Sequence, residues 1–160
     1  MSSGQQASTA SIRESSFADL LVAGAELFTE HWDEVAQQKH LMRFAPDTDQ
    51  YYALEKAGRL LVLGAYLGDE LIGYSVTFVF EKHLHYQHLS YAQNDVLFIS
   101  KTHRKGRLGA RLIWETERRA KARGARMMLW HAKEHPPELK ELLPKLGYSV
   151  QDIIFSRELT

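Results

Sequence analysis

Apolar positions recur along this chain at two different spacings, and the changes of spacing divide it into elements. Phe17, Leu20, Leu21, Gly24, Leu27, Phe28, His31 and Val35 fall at three- and four-residue intervals, the pattern of a helix packed along one face. Ser16, with Asp19 three residues on, supplies its cap and an acidic first turn. Pro46 and Asp47 interrupt the chain, and Thr48 to Lys56 predicts a second helix stopped by Gly58. Within it Tyr51 and Tyr52 are adjacent, so at least one ring meets an exposed face. Leu60 to Tyr66 and Leu71 to Phe80 are strand-type runs on either side of Gly68-Asp69, a hairpin signal.

Farther on, Asp95 to Ser100 holds the continuous run Val96, Leu97, Phe98 and Ile99, expected of a strand covered on both faces. The covering helix follows. Leu108, Leu112, Ile113, Thr116 and Ala120 form its inner face, Arg111, Glu115, Arg118 and Arg119 the other, and Gly124 its stop. Arg126 to Ala132 predicts another strand, and Glu138 to Leu146 a helix opened by Pro137 and closed by Gly147. Tyr148 to Glu158 predicts a last strand region whose alternation breaks at Asp152 and Ile153. Residues 1–11, rich in Ser, Gln, Ala and Thr, have little to bury and read as a disordered tail. Residues 12–160 then form a single domain without internal repeats.

Charge changes the picture in one place. The chain is neutral overall, but residues 101–126 hold ten Lys or Arg against Glu115 and Glu117, which implies one anion-binding surface on an otherwise acidic body. Its centre is the turn Lys101, His103, Arg104, Lys105, Gly106, Arg107 and Gly109 between strand and helix. Free amides at a helix start, the positive end of the helix dipole, two glycines and nearby cations together suit a phosphate. An extended nucleic acid is excluded as partner, because the remainder of the chain repels a polyanion and Trp114 is the one aromatic ring among these charges.

The segment from Gln93 to Gly124 resembles the corresponding part of the GNAT superfamily of acetyl-CoA-dependent N-acetyltransferases. Its signature there is Arg or Gln, two residues, Gly, one residue, then Gly or Ala, between a strand and a helix. Arg104 takes the first position and Gly109 the last, while Arg107 stands where the first glycine is usual and Gly106 lies one residue earlier. The resemblance extends over roughly residues 60 to 159. It implies an α/β (α+β) fold, with a mixed, mostly antiparallel sheet flanked by helices and a splayed strand pair for the cofactor. It also implies transfer of an acetyl group from acetyl-CoA, as co-substrate, to a primary amine of a small-molecule or protein acceptor by direct attack in a ternary complex.

Residue by residue, the resemblance gives the backbone of Arg104, Lys105, Gly106, Arg107, Leu108, Gly109 and Ala110 to the pyrophosphate. It gives the main chain of Phe98, Ile99 and Ser100 to the pantetheine arm. The first two helices become a wall of the acceptor groove, with Trp32 in that wall and His85 and His131 as substrate contacts. Asp95, nine residues before Arg104, is the expected general base; the other reading of Asn94 and Asp95 is a polar strand start. Where the family usually has a tyrosine acid this chain has Leu143, and Pro136 falls near the place of its frequent asparagine. Tyr148 and His131 are the substitutes. Without a working acid the chain is instead a GNAT-like acetyl-CoA-binding sensor.

The remaining expectations are negative or general. His83, His85 and His88 are close in sequence, but with no cysteine and no fourth ligand the loop reads as an acceptor loop, not a metal site. The absence of cysteine, of a signal peptide and of an apolar run of membrane length points to a cytoplasmic protein with no membrane partner. Edge pairing or exchange of the last strands makes a homodimer the expected assembly.

Overall fold

A computed structural model describes residues 9–159 of the chain. Its elements are strand β1 (Ser11–Glu14), helices α1 (Phe17–Ala23), α2 (Ala25–Val35) and α3 (Thr48–Lys56), and strands β2 (Leu60–Leu67), β3 (Glu70–Phe80) and β4 (Tyr91–Ile99). A short 3-10 turn at Lys101–His103 leads to α4 (Leu108–Ala122), followed by β5 (Met127–Leu129) and α5 (Glu138–Lys145). The five strands lie in the order β1-β2-β3-β4-β5. All pairs are antiparallel except β4 with β5, which is parallel. This is the mixed, mostly antiparallel sheet flanked by helices that the resemblance implies.

The sheet separates two apolar layers, and alternation along the strands assigns side chains to each. Phe17, Leu20, Leu27, Val62, Tyr74, Val76 and Phe98 pack together on the face covered by α1, α2 and α3. Leu61, Leu63, Ile72, Ile99, Leu112 and Ala120 pack on the α4 face. Phe98 and Ile99 therefore point to opposite sides of the sheet.

Several boundaries differ from those expected. Ser11, expected in a disordered tail over residues 1–11, pairs with Tyr66 in β1; residues 1–8 of that expectation lie outside the described residues. The first helix is two helices. At Gly24 the backbone leaves helical values (φ −96°, ψ 1°) and α2 begins anew, and the Phe28 ring, within 2.8 Å of where a Cβ would sit, leaves space for glycine. The strand expected over 126–132 is confined to Met127–Leu129. The last strand expected from Tyr148 to Glu158 is absent: that segment has no helix or strand, and Val150, Ile153, Ile154 and Phe155 are exposed. Its broken alternation presents no single apolar face to a sheet.

Two irregularities of β4 open the molecule. Val76 pairs with Val96 and Thr77 with Asn94, so Asp95 is the extra residue of a bulge. On the other edge, β4 pairs with β5 only at Tyr91, Ala92 and Gln93. Immediately beyond, the buried Asn94 side chain takes the place of a ladder rung. Its Oδ1 accepts from the His131 N–H and its Nδ2 donates to the His131 carbonyl at 3.4 Å. The strands then part, leaving the β4 edge from Val96 to Ile99 open. Asn94→Ala removes both bonds and leaves the His131 N–H without its acceptor. The expected loss is about 1–3 kcal/mol of stability, read as a lower midpoint in thermal denaturation; an unchanged midpoint would show that Asn94 does not hold the parting strands.

Candidate active site

Between the parted strands lies a cleft of about 490 Å³, with a different wall on each side of the sheet. On the α4 side it is lined by Ile99, Gly109 and Ile113, together with Leu139 and Leu142 of α5. On the other side the walls are Phe28, His31, Trp32 and Val35 of α2, Phe44 of the following loop, and Phe98. Asp95, His131 and Lys133 stand where the two halves meet.

The bulge turns Asp95 out of the regular strand alternation and into this junction. Its carboxylate accepts a hydrogen bond from the Tyr51 hydroxyl, and the Tyr51 ring is fixed by stacking on Phe17 at 4.5 Å. Burial raises the Asp95 carboxyl above the usual carboxylate range, while the Tyr51 hydrogen bond and the nearby His131 oppose that rise. The same surroundings raise both neighbouring phenols, Tyr51 chiefly by burial and then by its bond to Asp95, and Tyr74 chiefly by burial. Next to them His31 contacts the Tyr74 hydroxyl through Nδ1 at 2.6 Å and stacks on Phe98. Burial lowers its pKa to about 4, so its ring is neutral at physiological pH.

The basic turn is clamped from α2. Glu34 takes both Arg104 guanidinium nitrogens at 2.7 and 2.6 Å, and Arg104 Nε donates to the Ile99 carbonyl at 2.8 Å. One helical turn earlier, Glu30 accepts from the Lys101 N–H at 2.9 Å and from the Ser100 hydroxyl. Arg104 thus spends its side chain on structure. Lys105 and Arg107 have no carboxylate partner among the described residues. Gly106 takes a φ of 96°, which few side chains tolerate. The first backbone bond of α4 runs from the Arg111 N–H to the Arg107 carbonyl, leaving the N–H groups of Leu108, Gly109 and Ala110 without intrahelical acceptors.

The β4 edge can be assigned in the same way. The Ser100 N–H donates to the Ile72 carbonyl of β3 at 2.9 Å. By alternation Phe98 also turns its backbone groups to β3, and Leu97 and Ile99 turn theirs to the open edge. This corrects the expectation that Phe98 and Ser100 offer main-chain contacts to a cofactor: the Phe98 groups face β3, the Ser100 N–H is taken by Ile72 and its carbonyl by the His103 N–H, and the groups left at the edge are those of Leu97 and the Ile99 N–H, the Ile99 carbonyl already accepting from Arg104. An open strand edge and unpaired helix amides, on one side of one cleft, fit the pantetheine and pyrophosphate of acetyl-CoA.

Of the other expected residues, Trp32 and His131 line the cleft and His85 does not. His85 lies exposed in the loop after β3, against the rings of His83 and Tyr86. Tyr148 is likewise outside the cleft lining, with its hydroxyl buried beside Trp130 and Glu117. That geometry corrects its expected part as proton donor. Among the described residues no group of three His, Cys, Asp or Glu is gathered to hold a metal ion. No helix there is long and apolar enough to cross a membrane. Glu30 and Glu34 were not singled out by sequence, although their four-residue spacing on α2 places both on the side of His31.

The profile of the Acetyltransferase (GNAT) family matches residues 23–148. No curated protein sequence matches the chain. Among solved structures, a ribosomal-protein-alanine N-acetyltransferase from Brucella melitensis biovar Abortus 2308 is similar with a TM-score of 0.71 at 16% identity, over 95% of this chain and 100% of its own. An aminoglycoside acetyltransferase, HMB0005, from an uncultured soil metagenomic sample gives a TM-score of 0.73 at 18% identity, over 95% and 99%. AAC(6')-Iy, solved with the bisubstrate analog CoA-S-monomethyl-acetylneamine, gives 0.67 at 18% identity, over 96% and 100%. At these identities the likeness is one of fold.

Proposed function

The chain belongs to the Acetyltransferase (GNAT) family, and from that premise we propose that it transfers an acetyl group from acetyl-CoA to a primary amine by direct attack in a ternary complex. The observation that carries this reading is the half-buried Asp95 carboxyl at the β4 bulge, on the lining of the cleft and held by the Tyr51 hydroxyl. Acetyl-CoA, when bound, supplies an activated thioester. The amides of Leu108, Gly109 and Ala110, with the permissive Gly106, would hold its pyrophosphate, and Lys105 and Arg107 add attraction. The Leu97 and Ile99 edge would pair with its pantetheine amides as an added strand.

The chain's own chemistry is proton handling and exclusion of water. A primary amine reaches the cleft protonated and must lose a proton before it can attack. Asp95 accepts that proton, directly or through water, and its raised pKa brings it closer to the amine's. Tyr51 holds the carboxylate in place, and neutral His31 adds no charge of its own to the wall. At the position of the family's usual acid, Leu143 is buried and apolar. This supports expulsion of the thiolate without a dedicated donor, since a thiol ionises near pH ~8.5. A steady-state assay of thiol release from acetyl-CoA with a panel of primary amines, with the acetylated product identified by mass spectrometry, tests the reading. Amine-dependent release supports it, and binding of acetyl-CoA without release under any amine favours the sensor.

The homodimer belongs to the same proposal. Val150, Ile153, Ile154 and Phe155 expose an apolar strip that a second copy would cover. Light scattering at twice the 18.4 kDa chain mass is expected; a single chain mass at micromolar concentration would contradict it.

A further inference from the structure

Resting on the acetyl-transfer reading, we propose that the acceptor is a primary amine with one positive charge on an aromatic or aliphatic body, and that polycations are poor acceptors. The inference comes from what faces the α2 half of the cleft. Its walls are the rings of Phe28, Trp32, Phe44 and Phe98, with neutral His31 between them. The carboxylates of the whole cleft are Glu34, Asp95 and Glu138. Glu34 is committed to Arg104 in a bidentate pair and has Lys101 at 3.8 Å. Glu138 belongs to α5, on the cofactor side, with Arg104 at 3.9 Å. Asp95 alone remains for the acceptor.

One half-buried carboxylate beside an aromatic wall can receive one ammonium. Its charge is met by Asp95 and by the phenyl faces of the wall; the Trp32 face is already taken by Lys39 Nζ at 4.7 Å, which is itself paired with Asp33. The amine's carbon body then replaces water along Phe28 and Phe44, whose rings lie 5.7 Å apart. A second or third ammonium group would lose its hydration against those rings without a counter-charge, and Lys133 at the junction repels it. The rim continues the pattern, with Leu41 and Met42 half exposed beside Phe44. Trp32 ties this loop to α2 by donating its Nε1–H to the Met42 carbonyl at 2.7 Å.

The test compares 2-phenylethylamine and hexylamine with spermidine and kanamycin as acceptors in the thiol-release assay. Amine binding to the full chain saturated with desulfo-CoA is measured alongside by saturation-transfer NMR. The two monoamines are expected to show kcat/KM at least tenfold above both polycations. Phe44→Asp, at a position 54% exposed and therefore tolerant of a charge, places a second carboxylate in the wall. It is expected to lower kcat/KM for phenylethylamine about tenfold and to raise it for spermidine. Turnover that is equal or faster with spermidine or kanamycin in the wild-type chain overturns the inference while leaving acetyl transfer intact. If no amine is turned over, binding decides: phenylethylamine bound by the wild type and lost in Phe44→Asp supports the pocket while the transfer reading fails. Absence of phenylethylamine binding overturns the pocket.

Discussion

Asp95→Asn is expected to lower kcat/KM for amine acetylation by about 10²–10⁴-fold, the usual contribution of a positioned general base. Asparagine keeps the shape of the side chain and an oxygen to accept from Tyr51, so the loss reports the proton acceptor. The pH dependence has a fixed sign. With Asp95 as the proposed base, catalysis requires the ionised carboxylate, and burial raises its pKa above the ordinary 3.8, so kcat/KM of the wild type is expected to fall on acidification at a pH above the ordinary carboxylate range. Tyr51→Phe removes a hydrogen bond that lowers this pKa, and moves the acidic limb to higher pH. Tyr74 and His131, the other groups facing Asp95, remain.

Stability moves the other way. Because the folded state raises this carboxyl's pKa, the native chain holds its proton over a window where the unfolded chain has lost it. Stability therefore declines as pH rises through that window, and the ionised group is a net cost above it. Asp95→Asn relieves the cost, and its thermal midpoint at neutral pH is expected to equal or exceed that of the wild type. Loss of activity with a lowered midpoint would mean that Asp95 is a structural part of the β4 bulge; β4 begins at Tyr91, four residues before the strand start expected at Asp95.

Arg104→Ala and the double variant Lys105→Ala with Arg107→Ala are expected to fail in different ways. Arg104 is bound to a Glu34 side chain only 9% exposed and to the Ile99 carbonyl. Its removal strands a carboxylate, an effect reaching 3–5 kcal/mol for a fully buried pair. Arg104 itself is 27% exposed, so solvent screening reduces the expected loss to about 2 kcal/mol, or about 4–8 °C in Tm. The Arg104 hydrogen bond lowers the Glu34 pKa from 4.5. That part of the stability is present above the unfolded value and lost as pH falls through the folded one, and the variant should show less of this acid dependence. Lys105 and Arg107 carry no such duty. Their double variant should keep its midpoint and raise the Kd for acetyl-CoA about tenfold, the sum of two exposed charge contacts.

Sequence spacing located the helices and the hairpin well, because one-sided burial writes itself into the order of residues. Leu108, Leu112, Thr116 and Ala120 face the sheet as their spacing requires. Motifs drew attention to the basic turn before α4 and, through its distance from Arg104, to Asp95, both of which meet at one cleft. Contacts between distant segments left no such trace. Nothing in the order of residues ties Glu34 to Arg104 or Tyr51 to Asp95, which are 70 and 44 residues apart. A main-chain contact is hidden for another reason: which of Phe98 or Ile99 faces an open edge depends on register with β3, and register follows from the bulge at Asp95. Tyr148 could not be placed because an aromatic after a helix stop can turn to either side, and here it turns toward Trp130.

The most direct test of acetyl-CoA-dependent chemistry in this cleft is a calorimetric titration of acetyl-CoA into the full chain, with desulfo-CoA alongside. The account predicts one site per chain at micromolar Kd, comparable binding of desulfo-CoA because the grip is on pyrophosphate and pantetheine, and weakening in the Lys105→Ala, Arg107→Ala variant. No heat of binding for either ligand, from protein whose thermal midpoint shows it folded, would contradict it.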